Sequence, residues 1–241
     1  MSCEPNGRRL SAVARAAFVA FVTTGLVAGL QQVQAQPSTV TNVKYYTVNA
    51  NTADSLDQQM IQRGPVHGPG RAYANIVARP DYSGRLVQGQ TCRLADFKVT
   101  AEFTMTLPKL GGGVRLSRDL AARWESFQAF VRRHEEGHRT IWIETMQKAE
   151  RRISALRAPT CPQLQAQIDR VFQEEWRAGE RRQDAFDRAE QQKLVRHPLL
   201  VAANSARRKV NSGLAPQRSQ RSQRSQAPTL GHRSSMGAAS R

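Results

Sequence analysis

The stretch FKVTAEFTMTLPKLGGGVRLSRDLAARWESFQAFVRRHEEGHRTI, residues 97–141, changes its hydrophobic period midway. In its first part Phe97, Val99, Ala101, Phe103, Met105 and Leu107 alternate strictly with Lys98, Thr100, Glu102, Thr104 and Thr106. Successive side chains of a strand point to opposite faces, so this pattern predicts a long strand with one buried face. Pro108 and Gly111-Gly112-Gly113 end it. Beyond them Leu120, Trp124, Phe127, Val131, His134, His138 and Ile141 recur at steps of four and three, which is one face of an amphipathic helix. Ser117 is placed to cap that helix, and Asp119 puts a negative charge in its first turn, where the helix dipole favours it.

Working outward, the N-terminal side reads as β with one short helix. Val43 to Val48 (VKYYTV) is rich in strand formers, and Ala53 to Gln62 is helical up to the break at Gly64-Pro65. His67-Gly68-Pro69-Gly70 is a turn, Ala72 to Ala78 a strand, and Pro80 to Gly89 a loop. The C-terminal side is helical. The central helix runs from about Arg118 towards Leu156 and is cut by Pro159 and Pro162. A last helix starts near Gln163, carries Leu164, Ile168, Val171, Phe172, Glu175 and Gly179 on one stripe, and continues at least to Glu190, with a boundary at His197-Pro198. Strands followed by helices predict an α+β domain with an N-terminal antiparallel sheet.

The central helix carries His134-Glu135-Glu136-Gly137-His138, an H-E-x-x-H motif. Positions i and i+4 of a helix stand one above the other, so both imidazoles can bind one zinc ion, with Glu135 beside it as general base. Both histidines fall on the apolar stripe, with Glu135 at its border, whereas Arg132, Arg133, Glu136 and Arg139 fall where they can be solvated. Such a helix beside a sheet is a zincin-like arrangement. The plain alternative is two core histidines with no metal, each needing hydrogen-bond partners. Gly137 counts against it. Mid-helix glycine costs about 1 kcal/mol relative to alanine, so a packing or site-geometry reason is expected.

The ends of the chain speak to compartment. Arg8, Arg9 and Arg15 precede an apolar run from Ala16 to Leu30, and Val33-Gln34-Ala35 places small residues for cleavage after Ala35. Residues 1–35 are therefore expected to be a secretory signal, and the protein to be exported to the periplasm or beyond. That run is shorter than the ~20 residues a bilayer requires, and no second run of spanning length follows, so no transmembrane segment is expected in the mature chain. Once Cys3 leaves with the signal, Cys92 and Cys161 remain, a pair expected to form a disulfide in an oxidising compartment. Residues 36–203 make one domain with 25 basic and 18 acidic residues. From Asn204 to Arg241 the chain holds eight Lys or Arg, no acid, and a repeated Arg-Ser-Gln, which predicts a disordered basic tail. An anionic envelope surface is the candidate partner of that tail, and a solubilising extension without a partner is the alternative. A nucleic-acid partner is disfavoured in an exported chain.

With these features in hand, the chain resembles a bacterial family of predicted secreted zinc-dependent proteases, the domain of unknown function numbered 922. The resemblance covers roughly Val43 to Glu190. It is carried by the Tyr-containing first strand, Gly64-Pro65 after the short helix, Cys92 opening the long strand, Thr104 to Pro108 at its end, Trp124 before the motif, and His-Glu-x-Gly-His at 134–138. It implies a zinc peptidase. The family's later aromatic-Asp-x-x-Thr-x-His-Gly segment is kept here only in Phe186-Asp187, since Glu190, Gln192 and Lys193 stand for its Thr, His and Gly. A catalytic zinc needs a third protein ligand beside an open water position. Asp187 is the first choice, with Glu175, Glu180, Asp184 and His197 as alternatives.

The expected function is a zinc-dependent metallopeptidase acting on a peptide or protein substrate, with Glu135 activating water. An extended substrate can add to a sheet edge beside the motif helix. No residue is ranked as oxyanion donor; Tyr73, Tyr82, His67 and Arg71 lie near the predicted loops. The competing reading is a non-catalytic envelope-binding protein on the same scaffold with a degraded metal site.

Overall fold

The computed structural model describes residues 37–213 and 231–234; the export signal read at 1–35 lies outside the described residues. The chain order is β1 (Ser38–Val48), α1 (Ala53–Arg63), β2 (Val66–His67), β3 (Gly70–Arg71), β4 (Asn75–Gln88), β5 (Cys92–Leu110), α2 (Arg118–Ser154), β6 (Arg157–Ala158), α3 (Cys161–Val195), α4 (Pro198–Gly213) and β7 (Gly231–Ser234). It is a mixed α+β fold with an N-terminal sheet and four helices.

The period-2 stretch forms the middle of the sheet. In β5, Val99, Ala101, Phe103, Met105 and Leu107 are all buried, as their alternation with polar residues requires. Strand order is β1-β5-β4-β7, with β6 paired to the start of β5. The sheet is mixed rather than antiparallel. β4 runs antiparallel to β5, but β1 pairs with β5 in parallel from Ser38↔Thr100 to Val48↔Leu110. The parallel pairing is possible because α1, the small β2–β3 hairpin and β4 intervene in sequence and return the chain to the start of β5.

The stretch expected to be a loop at Pro80 to Gly89 is instead the outer half of β4, paired with β5 as far as Gln88↔Cys92. Residues Asp81 to Leu86 are exposed, so no buried face leaves an alternating signature. Pro80 is tolerated there because β7 pairs only with Asn75–Ala78, leaving Pro80 on an open edge.

α2 and α3 form an antiparallel pair joined by a short connection, and α2 packs across the β5–β4 face. Arg139 reaches from α2 to β1, donating to Thr41 Oγ1 at 2.9 Å and Thr39 Oγ1 at 3.0 Å. Trp142 of α2 stacks on Trp176 of α3 with ring centroids 4.0 Å apart. Gly179 lets the two helices approach here, since a Cβ on it would come within 2.8 Å of Thr145 and Trp142. Cys92 and Cys161 lie at disulfide distance, 2.11 Å between sulfurs, tying the start of β5 to the start of α3.

The folded chain does not stop at Ala203. α4 continues to Gly213, burying Leu199, Leu200 and Ala203 and packing against α1. Its Arg207 pairs with the buried Asp57 at 2.7 Å and with Asp54 at 3.1 Å. Residues Asn204 to Gly213 are thus helix rather than tail, because one arginine of the basic run has a buried carboxylate to answer it. Among the described residues no helix is long and apolar enough to cross a membrane.

Candidate metal centre

α2 begins as its sequence requires, with Ser117 Oγ accepting from Leu120 N at 3.4 Å. Leu120, Trp124, Phe127 and Val131 then bury one face against the sheet, and the same face delivers His134 and His138 to the interior. Their rings lie edge to face with centroids 4.5 Å apart. The opposing face comes from α3. Pairs Arg152–Glu175, Lys148–Glu175, His138–Gln183 and His134–Asp187 step along the two helices in opposite directions and fix their register.

That register brings three ligand-type atoms to one point. His134 Nε2 lies 3.1 Å from Asp187 Oδ1, His138 Nε2 lies 2.9 Å from the same oxygen, and the two Nε2 atoms lie 2.9 Å apart. A tetrahedral zinc with ligands at about 2.0–2.1 Å would hold such atoms about 3.3 Å apart, so the trio needs only a few tenths of an ångström of spreading to accept one. Among the described residues, His134, His138 and Asp187 form the group of three His, Cys, Asp or Glu that could hold a metal ion.

The donor chemistry also fits a cation. Gln183 is fully buried and donates from Nε2 to the carbonyl of His138 at 3.0 Å, which turns its Oε1 to His138 Nδ1. A carbonyl oxygen accepts, so Nδ1 is the donor in that contact and Nε2 is the nitrogen turned towards the cluster. Nε2 lies 2.9 Å from both Asp187 Oδ1 and His134 Nε2. A proton shared among these atoms or a cation between them suits this arrangement, and the donor set is one a cation could use. Orienting a ligand histidine through its other nitrogen is the usual work of a group behind a metal site.

Phe186 fills the space beside the histidines. Its ring stacks on His134 at 4.9 Å and meets His138 edge-on at 5.0 Å. This explains Gly137, since a Cβ at that position would lie 2.5 Å from Phe186 Cζ.

Electrostatics follow from burial. The Asp187 carboxyl is held down to about 2: partial burial alone would raise its pKa, but the hydrogen bonds and charges of His134 and His138 outweigh it. Burial lowers the pKa of His134, against the pull of Asp187. Glu135 is completely buried, and neither carboxylate oxygen has a hydrogen-bond partner. Burial pushes its pKa well above the usual carboxylate range, the charge of Asp187 adds to this, and the main chain of Ile76 in β4 opposes it least.

The other candidates are accounted for elsewhere. Glu175 pairs with Arg152 at 2.5 Å and Lys148 at 3.1 Å, and Asp184 is exposed; neither these nor Glu180 joins the cluster. His197 precedes α4, accepts from Leu199 N at 3.3 Å through Nδ1, and packs edge-on against Phe127. Tyr73 donates to Asp57 at 2.7 Å, Tyr82 reaches Asp169 at 3.3 Å, and Arg71 donates to Gly64 O at 2.6 Å, so all three are engaged away from the histidines. His67 differs. From β2 it feels the charges of both Asp187 and His138, and its Nδ1 is buried without a partner. Its sequence signal was only a histidine opening a Gly-Pro-Gly turn.

One protein-family model matches the chain, over residues 43–193, described as a bacterial protein of unknown function (DUF922). No curated protein and no solved structure gives a match.

Proposed function

The chain belongs to this DUF922 family, whose match spans more than half its length, and on that premise we propose that it is an exported, zinc-dependent peptidase with a zincin-like centre. The observation that carries the reading is the convergence of His134 Nε2, His138 Nε2 and Asp187 Oδ1, each within 3.1 Å of the other two. His134, His138 and Asp187 would hold the ion, leaving its fourth position for water. A zinc ion held there would supply Lewis-acid chemistry, lowering the pKa of bound water towards about 7.

Glu135 is the general base. It sits between the two histidines of the motif, and its carboxylate is placed to take a proton and return it to a leaving amine. Gln183 positions His138, and Phe186 shields both imidazoles from water. The apolar run at the N-terminus and the cysteine pair at disulfide distance are compatible with export. The basic tail is assigned to an anionic envelope surface.

One observation favours the non-catalytic alternative, the complete burial of Glu135, which leaves no direct path from bulk water to the base. The two readings separate on a Glu135→Gln variant assayed with a mixed peptide library. Cleavage by the parent protein that falls by about 10² or more in the variant supports the peptidase. Zinc retention with no cleavage by either protein supports the binding protein.

A further inference from the structure

The last described segment, β7 at Gly231–Ser234, forms an edge of the sheet beside β4. It pairs in parallel with β4 in the register Asn75↔Gly231, Ile76↔His232, Val77↔Arg233 and Ala78↔Ser234. Ile76, at the middle of this ladder, is the β4 residue whose main chain acts on the Glu135 carboxyl. β7 also contacts α3, which carries Asp187, and β2, which carries His67. A segment from the far end of the chain therefore pairs with β4 and also contacts α3 and β2.

Gly-His-Arg-Ser has little intrinsic strand preference, so its pairing rests on main-chain hydrogen bonds to an otherwise open edge. That is the mode by which a sheet edge takes up an extended peptide with tolerance for its side chains. The composition of the occupant complements its surroundings. Gly231–Ser234 brings Arg233 and no acid, while Asp187 of α3 is a carboxylate of the cluster. Four residue pairs make a weak ladder, and covalent attachment makes its docking intramolecular, which compensates for low intrinsic affinity.

We propose that the β4 edge at Asn75–Ala78 is the docking strand of the site for an extended, basic peptide, and that the chain's own Gly231–Ser234 is its resident occupant, covering the metal centre until it is displaced. That an incoming peptide is then a substrate rests on the peptidase reading; the docking strand itself does not.

The test is amide hydrogen exchange on the full chain, comparing the parent with the double variant His232→Pro, Arg233→Pro, which removes two N–H groups from β7. The amides of Asn75–Ala78 are expected to exchange about tenfold faster or more in the variant. A synthetic peptide of residues 229–236, added to the variant at the roughly millimolar concentration that a flexible tether supplies, should restore their protection. Unchanged exchange at Asn75–Ala78, or no restoration by the peptide, overturns the proposal. Should the variant lose protection throughout α2, the pairing is read instead from Val77→Cys, Arg233→Cys in the full chain. A disulfide between positions 77 and 233 supports it, and failure to form one under oxidation overturns it. Both readouts are independent of zinc and of cleavage. A chain without zinc that still shows them loses the peptidase reading and keeps the docking strand.

Discussion

Nε2 of His138 stands 2.9 Å from Oδ1 of Asp187 while Gln183 holds the proton of that imidazole on the opposite nitrogen. The two atoms face each other across the gap between α2 and α3. Gln183 is thus the residue that turns Nε2 of His138 towards the cluster. Replacing Gln183 with Leu keeps its bulk and removes its acceptor. Zinc affinity is expected to fall about 10–100-fold, measured by competition with a chromophoric chelator. Unaltered affinity would remove Gln183 from the site.

Gly137→Ala separates packing from helix propensity. Alanine favours the helix by about 1 kcal/mol, but its Cβ would lie 2.5 Å from Phe186 Cζ. Overpacking of this kind costs about 1–3 kcal/mol, and Phe186 would have to leave its packing against both imidazoles to yield. The variant should be less stable in denaturant unfolding, and Phe186→Leu should reverse the loss in the double variant. A Gly137→Ala protein more stable than the parent would show that the ring moves freely.

Arg207 tests whether α4 belongs to the domain. Asp57 is only 2 % exposed, and its charge is answered by Arg207 at 2.7 Å and by the hydroxyl of Tyr73 at 2.7 Å. Arg207→Ala leaves that charge with the hydroxyl alone. Because Arg207 is about one-third exposed and Tyr73 remains, a loss of about 2–3 kcal/mol is expected, below that of a fully buried pair. Urea unfolding with Asp57→Asn as the second arm of a double-mutant cycle measures it. Additive effects of the two substitutions would mean that the pair contributes nothing.

His197 gives the fold a pH dependence. Burial lowers its pKa from 6.5, and the charge of Arg133 adds to this against the contact with Ser126. The unfolded chain therefore takes up the proton first as pH falls. Stability from this group is complete above 6.5 and is lost as pH falls below that value towards the folded pKa. His197→Asn can still cap α4 but does not titrate. With metal removed from both proteins, the variant's unfolding free energy should fall less than the parent's between about pH 7.5 and 5.5. Parallel slopes would exclude His197.

The parts legible in the sequence are those where burial is periodic. β5 shows its buried face at every second residue and α2 at every third or fourth, and both elements lie where those patterns place them. The third candidate ligand was less legible because four acids of α3 compete. The stripe continues from Glu175 through Gly179 and Gln183 in steps of four to Asp187, whereas Glu180 and Asp184 fall one position off it. What periodicity could not supply was the partner of each element. The parallel direction of β1, the outer half of β4, the helix after Ala203 and the β7 ladder all depend on contacts with residues distant in sequence. Arg207 looks like tail composition until Asp57 is known to lie against it.

The central claim is that His134, His138 and Asp187 hold one zinc ion. It is tested most directly by elemental analysis of the mature protein purified from zinc-sufficient medium, beside an Asp187→Ala variant whose fold is checked by circular dichroism. The account predicts about one equivalent of zinc in the parent and a large loss in the folded variant. A parent protein without zinc, or a variant that retains it in full, would contradict it.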